Sequence, residues 1–289
     1  TEALIGDLQR LNPLLDDPNS VDRDIDRLIF SGLGKFDSHG IAQPDLAEQI
    51  GVSQDGILYN ITLKPDLAWH DGEDLSTRDI LFTIELIRNG KGFVSKDVRQ
   101  LWNSVEVYIF DDVHMQLKLP EAYAPFMDYL AFGVLPQHLF DGMTIDQIAE
   151  SPLNLQPIGS GPYQFNELII EESEIAGIKL KAFPKYAGDQ PYLQDLVFRY
   201  YPDGKSAYRA YQEGLVQGVS EVATELLPEA LLDKGLNIYT GRLPRISLVL
   251  LNLDEVGAPF FQEAEVRRAL MMGINRRNII TNLLKGQAI

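Results

Sequence analysis

Residues 69–80 constrain the fold more than any other stretch of the chain. A strand-like alternation of apolar residues leads into them, and a helix-like run leads out. Asp71-Gly72 is a turn signal, because glycine accepts positive φ and aspartate bonds its own backbone. Ser76 offers a hydroxyl to begin a helix, and Asp79 completes a capping-box pattern three residues later. The stretch therefore predicts a strand, a tight turn and a capped helix.

The polar side chains of this stretch admit two interpretations. In one, His70, Asp71, Asp74 and Asp79 form a metal or acid–base cluster; in the other, they serve the turn and the helix cap, and His70 bonds locally. No two of the four histidines are spaced i,i+4, and H-E-x-x-H does not occur, which favours structural or surface roles. The chain has no cysteine, which excludes disulfides and thiol catalysis. We expect no catalytic residue, no metal site and no cofactor.

Three aspartates, Asp22, Asp24 and Asp26, imitate the start of a calcium-binding loop. The sixth position is Arg27 instead of glycine and the twelfth is Leu33 instead of glutamate, so the EF-hand pattern fails. We expect these aspartates on the solvated face of a helix.

The chain is acidic, because 42 Asp and Glu against 25 Lys and Arg give a formal net charge of −17. This charge repels phosphate backbones and anionic lipid, so nucleic acids and membrane surfaces are poor partners. The longest apolar run, residues 246–251, is far below the roughly 18–20 residues that span a bilayer. No signal peptide opens the chain, and it stops within a helical pattern. We expect it to be part of a longer protein.

Turn signals and hydrophobic periodicity divide the 289 residues into two kinds of structure. From residue 44 to about residue 150, hairpins and short helices predict an α+β unit. Beyond it, strands and helices alternate, which favours an α/β sheet with parallel pairs. The predicted elements include an amphipathic helix through Val21, Ile25, Leu28 and Ile29, a short helix at 44–48, hairpins around Asp55-Gly56 and Asp111-Asp112, strands at 236–239 and 246–253, and a helix at 264–284.

A second segment rich in turn-forming residues is Pro157-Ile158-Gly159-Ser160-Gly161-Pro162-Tyr163. Two prolines and two glycines in seven residues fix a particular backbone path. The segment lacks the spacings of phosphate-binding loops and of a nucleophile elbow, and no lysine follows. It predicts a structural crossing between two subdomains.

Several segments form a recognisable series along the chain. They are Leu11-Asn12-Pro13-Leu14, Leu28-Ile29-Phe30-Ser31-Gly32-Leu33, Pro44-Asp45-Leu46-Ala47-Glu48, Ser53-Gln54-Asp55-Gly56, Trp69-His70-Asp71-Gly72-Glu73 with Leu75-Ser76 and Asp79-Ile80, Leu135-Pro136-Gln137-His138, Pro157 to Tyr163, Asn252, and Val266-Arg267-Arg268-Ala269-Leu270 with Ile274-Asn275-Arg276. In this order they resemble the bacterial extracellular solute-binding proteins of family 5, the peptide- and nickel-binding class that serves ABC importers. The resemblance extends over nearly the whole chain, and its two departures, at residues 214–217 and 274–276, leave the fold unaffected.

The resemblance implies a periplasmic-binding-protein-like bilobal fold, α/β with a mixed α+β insert, of which this chain holds mainly lobe I. Residues 1–43 and 151–252 would form the discontinuous core of lobe I. Residues 44–150 would form the inserted subdomain, and residues 253–289 the start of lobe II. The residues with structural roles would be Trp69, His70, Asp71, Gly72, Ser76, Asp79, Gly159, Ser160, Gly161, Pro162 and Tyr163.

The resemblance also implies a function, the capture of peptides or a related small solute in an interlobe cleft by hinge closure, and their delivery to a membrane permease. The expected ligand contacts are Ser31, Gly32 and Leu33, since the family presents this turn to the cleft, and Arg245 and Asn252 near the hinge. Each of two contacts has an alternative that the sequence favours equally. Arg245 would form a surface salt bridge instead of a ligand contact, and Leu33 would be an ordinary core residue.

We expect a monomer on the periplasmic or extracellular face of the membrane, lipid-anchored in the full-length protein. Two other functions stay open at this point. One is a receptor that reports its ligand to a signalling partner, and the other is a hydrolase that uses scattered Asp and His residues.

Overall fold

The computed structural model describes residues 1–15, 19–241, 246–254 and 257–287. The chain divides into two units, Thr1–Glu221 and Val222–Ile289. No helix in the described ranges is both long and apolar enough to cross a membrane.

The first unit contains a five-stranded sheet in the order β11-β1-β10-β9-β8. Strand β1 (Glu2–Ile5) is parallel to β10 (Asp195–Tyr201) and to β11 (Gly218–Val219), which confirms the predicted parallel pairs. Strand β9 (Glu174–Ala182) is antiparallel to both β10 and β8 (Tyr163–Glu171). The two residues that join β8 to β9 have positive φ, and so short a connection permits only an antiparallel pair.

A second, four-stranded sheet has the order β4-β5-β7-β6 and is antiparallel throughout. Both hairpins that the turn signals predict are present in it. A two-stranded ribbon precedes it along the chain. The strands of the ribbon and the sheet are β2 (Gly34–Phe36), β3 (Ala42–Pro44), β4 (Ala47–Val52), β5 (Leu58–Leu63), β6 (Glu106–Ile109) and β7 (His114–Lys118).

The helix predicted at 44–48 is wrong, because Pro44 ends β3 and Ala47 begins β4. The backbone groups here form hydrogen bonds with other segments of the chain and not within a helical turn. Leu46 N–H donates to the carbonyl of Gly32 at 3.0 Å, and Ala47 pairs with Leu63 in the sheet. Tertiary pairing thus overrides a short local pattern.

The helices of the first unit pack on these sheets and on one another. Helix α1 packs against β8, α6 against β1, β10 and β11, and α2 against α3, α4 and β6. Trp69 and Trp102 are both buried in the main hydrophobic core. A 3₁₀ helix spans Ala124–Leu130. The α-helices are α1 (Ser20–Ile29), α2 (Thr77–Asn89), α3 (Lys96–Ser104), α4 (Gln137–Phe140), α5 (Ile145–Ala149) and α6 (Gly204–Gln212).

Helix α1 forms where the periodicity predicts it, but two of its aspartates are not on a solvated face. Asp22 and Asp26 are buried. The carboxylate of Asp22 accepts hydrogen bonds from the N–H groups of Gln9 and Arg10, both at 3.0 Å. Burial raises the pKa of Asp22. The carboxylate therefore holds the segment that precedes the helix, a role that the helical pattern alone does not indicate.

The described residues of the second unit form short helices and turns, and no strand occurs among them. The strands predicted at 236–239 and 246–253 are therefore wrong, since neither range finds a partner strand. Ile246, Leu248 and Leu250 are 79%, 74% and 88% exposed. The helices are α7 (Leu227–Ala230), a 3₁₀ turn Pro259–Gln262, α8 (Ala264–Gly273), α9 (Arg276–Asn278) and a π-helical turn Ile279–Leu283.

The single helix predicted at 264–284 is interrupted after α8. The side chain of Asn275 accepts a hydrogen bond from the N–H of Asn278 at 2.9 Å and begins a new helical segment. Asparagine competes with helical hydrogen bonding in this way, which explains the interruption.

Candidate functional site

The turn formed by Ser31, Gly32 and Leu33, called the 31–33 turn, follows the end of α1 and is buried. Each of its carbonyl oxygens accepts a backbone hydrogen bond. Among the described residues, no acceptor takes a hydrogen bond from the three N–H groups of the turn. The turn therefore has its acceptors satisfied and its donors free. The donors to its carbonyls are the N–H groups of Val134, Leu46 and Asp45, at 2.9, 3.0 and 2.9 Å.

The middle position of the turn requires glycine. A Cβ at Gly32 would lie 2.5 Å from the carbonyl oxygen of Phe132 and 2.9 Å from that of Gly34. The side chain of Leu33 is fully buried within the hydrophobic core. Its side chain thus has the core role that the sequence left open, and only its main chain remains for a ligand.

The Gly159-Ser160-Gly161 loop packs on the last carbonyls of α1, directly before the turn. The N–H of Gly161 donates to the carbonyl of Ile29 at 2.7 Å. A Cβ at Gly159 would lie 2.0 Å from that oxygen, and a Cβ at Gly161 would lie 2.6 Å from the carbonyl oxygen of Leu28. The two glycines are therefore needed for the close backbone contact between this loop and the end of α1.

The imidazole ring of His70 hydrogen-bonds both glycines of this loop. Its Nδ1 accepts the N–H of Gly159 at 3.2 Å, and its Nε2 lies 3.1 Å from the carbonyl oxygen of Gly161. Since Nδ1 accepts, the proton is on Nε2 and the ring is neutral. Burial lowers the pKa of His70 to about 4. We call His70, Gly159, Gly161 and Ile29 the His70 junction.

The local bonding expected for His70 is therefore wrong. Its backbone N–H also donates to Gly159, at 2.9 Å, so its partners lie about 90 residues further along the chain. Both ring nitrogens are occupied, which leaves no free nitrogen for a metal or for proton transfer.

The carboxylates of residues 69–80 serve the backbone. Asp79 accepts the N–H of Ser76 and the N–H of Gln137, both at 2.9 Å, and completes the predicted capping box. Asp71 pairs with Nε2 of His138 at 2.8 Å. In the described part of the chain, no group of three or more His, Asp or Glu side chains could hold a metal ion. The scaffold interpretation of this stretch fits the geometry better than the cluster interpretation.

A depression of about 390 Å³ is lined by Lys35, two residues after the turn, and by residues from 162 to 193, and no sequence motif indicates it. The buried carboxylate of Asp45 is 3.1 Å from Nζ of Lys35 and accepts the hydroxyl of Tyr186 at 3.4 Å. Burial raises the pKa of Tyr186, so its hydroxyl stays protonated. Because the N–H of Asp45 also donates to Leu33, this residue connects the turn to the depression. The lining residues are Lys35, Pro162, Tyr163, Tyr186, Asp189, Pro191, Tyr192 and Leu193.

The predicted ligand contacts do not all lie in one unit. Ser31, Gly32 and Leu33 belong to the first unit, together with the structural motif residues. Asn252 belongs to the second unit, where its side chain accepts the N–H of Asp254 at 3.0 Å. Arg245 lies outside the described residues.

Comparison with known proteins finds relatives along most of the chain. The family model for bacterial extracellular solute-binding proteins, family 5 Middle, matches residues 42–289. The oligopeptide-binding protein AppA of Bacillus subtilis is 29% identical over 268 residues, which cover 91% of this chain and 47% of that protein.

Two solved structures share the fold. The first, NikZ from Campylobacter jejuni in complex with Ni(L-His), has a TM-score of 0.82 and 28% identity, over 100% of this chain and 55% of that one. The second, AppA from Bacillus subtilis in complex with a nonapeptide, has a TM-score of 0.78 and 25% identity, over 99% of this chain and 55% of that one. The predicted fold class is confirmed, and the chain spans about half the length of the relatives it matches.

Proposed function

Because the chain belongs to the bacterial extracellular solute-binding proteins of family 5, we propose that it is part of the extracytoplasmic substrate-binding component of an ABC importer. In this proposal the 31–33 turn contacts the solute, hinge closure encloses it, and a membrane permease receives it. The protein binds its solute without making or breaking a bond, as befits a relative of the oligopeptide-binding protein AppA.

The free N–H groups of the 31–33 turn are the observation that carries this proposal. A ligand that supplies acceptors can pair with these N–H groups without breaking a hydrogen bond within the described residues. An extended peptide offers carbonyl oxygens along its edge, and main-chain pairing of this kind gives affinity with little dependence on side chains. Peptide is therefore the ligand that we propose first.

A metal chelate is the second candidate ligand. NikZ, which has the fold of this chain, is in complex with Ni(L-His). A chelated amino acid presents carboxylate oxygens, and main-chain N–H groups bind such oxygens as well as they bind peptide carbonyls. The two candidates share the donors of the turn and differ in whether nickel is required.

The domain arrangement is part of the proposal. Residues 1–43 and 151–252 would form the core of lobe I, 44–150 an inserted subdomain, and 253–289 the start of lobe II. The sheets support the separation of core and insert, since the five-stranded sheet draws on residues 2–5 and 163–219, and the four-stranded sheet on residues 47–118. The division of the chain after Glu221 lies within the proposed core and gives no support to a boundary at 252. Arg245 and Asn252 stay proposed ligand contacts near the hinge.

We further propose a monomer outside the cytoplasmic membrane, lipid-anchored in the full-length protein. A signalling receptor would use the same ligand site and differ only in the protein that reads the bound state. A hydrolase based on His70 is disfavoured, because both nitrogens of its ring are already hydrogen-bonded.

Titration followed by amide NMR tests the ligand contacts directly. A nonapeptide is added to the ¹⁵N-labelled full-length protein, in which both lobes are present, and nickel with L-histidine is added to a second sample. We expect the amide signals of Ser31, Gly32 and Leu33 to shift with peptide, while the amide of Tyr108, on a strand of the other sheet, serves as control. Shifts only with nickel and histidine would favour the chelate. Unchanged turn amides in both titrations would overturn the proposal.

A further inference from the structure

Two of the hydrogen bonds that hold the 31–33 turn come from one short stretch between β3 and β4. The N–H of Asp45 donates to the carbonyl of Leu33 at 2.9 Å, and the N–H of Leu46 donates to that of Gly32 at 3.0 Å. The stretch is itself anchored to the next strand, because the N–H of Lys64 donates to the carbonyl of Leu46 at 2.9 Å. The position of this stretch therefore sets the position of the turn and of its unpaired N–H groups.

The side chain of Asp45 is buried, and its charge has a partner on the strand that leaves the turn. Only 7% of the side chain is exposed, and one carboxylate oxygen lies 3.1 Å from Nζ of Lys35. Lys35 lies on β2, next to the register pair of Gly34 and Pro44. A buried carboxylate is costly to leave unpaired, because neither water nor a second charge then compensates it. The ion pair therefore fixes β2 against the stretch that bonds the turn.

The other polar groups at this ion pair leave the pairing intact. Burial alone would lower the pKa of Lys35, but the carboxylate of Asp45 raises it above its ordinary value, so the ammonium is charged. The hydroxyl of Tyr186 also donates to Asp45, at 3.4 Å. A second ammonium, that of Lys64, donates to the carbonyl of Ala187 at 3.4 Å, and within the described ranges it makes no ion pair with Asp45. Lys35 is thus the cation that compensates the buried charge.

We propose that the Lys35–Asp45 ion pair positions the 31–33 turn for its ligand, which makes both members positioning residues. With the pair intact, the N–H groups of the turn are held where the oxygens of a ligand meet them. With the pair broken, the uncompensated carboxylate turns toward solvent and carries the N–H of Asp45 away from Leu33. The inference rests on the proposed function, since that function makes the turn the ligand contact. It goes beyond that function by naming the residues that shape the contact.

Amide hydrogen exchange in the full-length protein tests the positioning without any ligand. In Lys35→Gln we expect the amides of Asp45 and Leu46, which bond the turn, to exchange about tenfold faster or more. The amide of Leu119, which donates to Ile57 at 3.0 Å, should keep its rate. Lys64→Gln is the matched control, because it removes an equal charge close by without touching the ion pair. It should leave the exchange of Asp45 and Leu46 unchanged.

Affinity for the nonapeptide, measured from the shifts of the turn amides, tests the consequence for binding. We expect Lys35→Gln and Asp45→Asn each to weaken binding about tenfold, and the double variant to bind no more weakly than either, because all three lack the same pair. Lys35→Arg keeps the charge and should restore the affinity. Lys64→Gln should bind like the parent. Tryptophan fluorescence establishes that each variant is folded under the conditions of the titration, so that a loss of affinity is not a loss of folded protein.

The outcomes separate this inference from the proposed function. Unchanged exchange at Asp45 and Leu46 in Lys35→Gln, or a double variant weakened about a hundredfold as for two independent sites, overturns the positioning role and leaves ligand binding intact. If the nonapeptide shifts no turn amide in the parent protein, peptide binding is wrong, and nickel with L-histidine takes its place in the comparison. If neither probe shifts them, the turn is not a ligand contact, and the inference falls with the proposed function.

Discussion

The His70 junction and the 31–33 turn meet at the last carbonyls of α1, yet they use their polar groups in opposite ways. At the junction, both nitrogens of His70 and the N–H groups of Gly159 and Gly161 have partners. At the turn, the carbonyls are bonded and, in the described part of the chain, the N–H groups are not. Ser31, Gly32 and Leu33 are buried, whereas His70 is partly buried, so greater exposure does not explain the free donors of the turn.

The difference teaches where binding capacity lies in a chain of this kind. The most recognisable motif, Trp69-His70-Asp71-Gly72, has a fully satisfied histidine and therefore stabilises the fold. The less distinctive Ser31-Gly32-Leu33 keeps N–H groups that no acceptor among the described residues takes. Recognition of a family and recognition of its site thus depend on different residues.

The largest expected effect is that of Gly159→Ala at the junction. Its Cβ would lie 2.0 Å from the carbonyl oxygen of Ile29, so the loop or the end of α1 must move. We expect a loss of about 3 kcal/mol in the free energy of unfolding. Urea denaturation followed by tryptophan fluorescence measures it, because Trp69 and Trp102 both lie in the first unit.

Gly51→Ala is the matched control for this substitution. A Cβ at Gly51 would meet only the carbonyl oxygen of Asn60, at an ordinary 3.8 Å. Its stability should change by less than 1 kcal/mol. Equal effects of the two substitutions would contradict the close contact at the junction.

The pH dependence of stability is the next effect in size. Unfolded His70 takes up a proton near pH 6.5, whereas the folded residue does so only near pH 4. The unfolded chain therefore binds more protons between these values, and stability falls as the pH drops through that window. We expect about 2 kcal/mol of loss from this group between pH 7 and pH 5.

The difference between the parent chain and His70→Asn isolates this contribution from other titrating groups. The variant should be less stable at pH 7 and should lose less stability than the parent on acidification. Its bound-state NMR shifts at the 31–33 turn should persist wherever it is folded. Parallel pH curves for the two proteins would rule out a buried neutral imidazole.

Local signals predicted much of the first unit. The capping box of Ser76 and Asp79 and the hairpin at Asp55-Gly56 depend on residues within a few positions, so the sequence alone carries them. The partners of His70 are about 90 residues distant, and no spacing rule indicates them. The burial of Asp22 likewise depends on a separate segment, Gln9 and Arg10.

The candidate site was predictable only in part. The resemblance pointed to Ser31, Gly32 and Leu33, but it did not indicate which of their main-chain groups lack a partner. Only the three-dimensional pairing reveals that no acceptor among the described residues takes their N–H groups. The depression combines Lys35 with residues 162–193, and these are too far apart in sequence to form a motif. The strand predicted at 246–253 failed because a strand needs a partner, and alternation within one segment cannot supply it.

Gly32→Ala tests the 31–33 turn, the region that was compared with the His70 junction. A Cβ 2.5 Å from the carbonyl of Phe132 would displace the turn, at a cost of about 1–2 kcal/mol. We expect the peptide-induced shifts of Ser31 and Leu33 to disappear in a protein that is still folded. Gly159→Ala, measured under conditions where it is folded, should retain them. The same loss of binding in both variants would remove the distinction between junction and turn.

The smallest effect is expected where a motif residue reaches the surface. Asp71 pairs with His138 at 2.8 Å, but about 30% of each side chain is exposed, so solvent screens the pair. Asp71→Asn keeps an oxygen for the N–H of Glu73, which Asp71 accepts at 3.2 Å, and removes only the charge. We therefore expect less than 1 kcal/mol of destabilisation, decreasing further with added salt. A double-mutant cycle with His138→Asn measures the coupling, and a value as large as the effect of His70→Asn would show that charge at the turn, and not the buried junction, holds this motif in place.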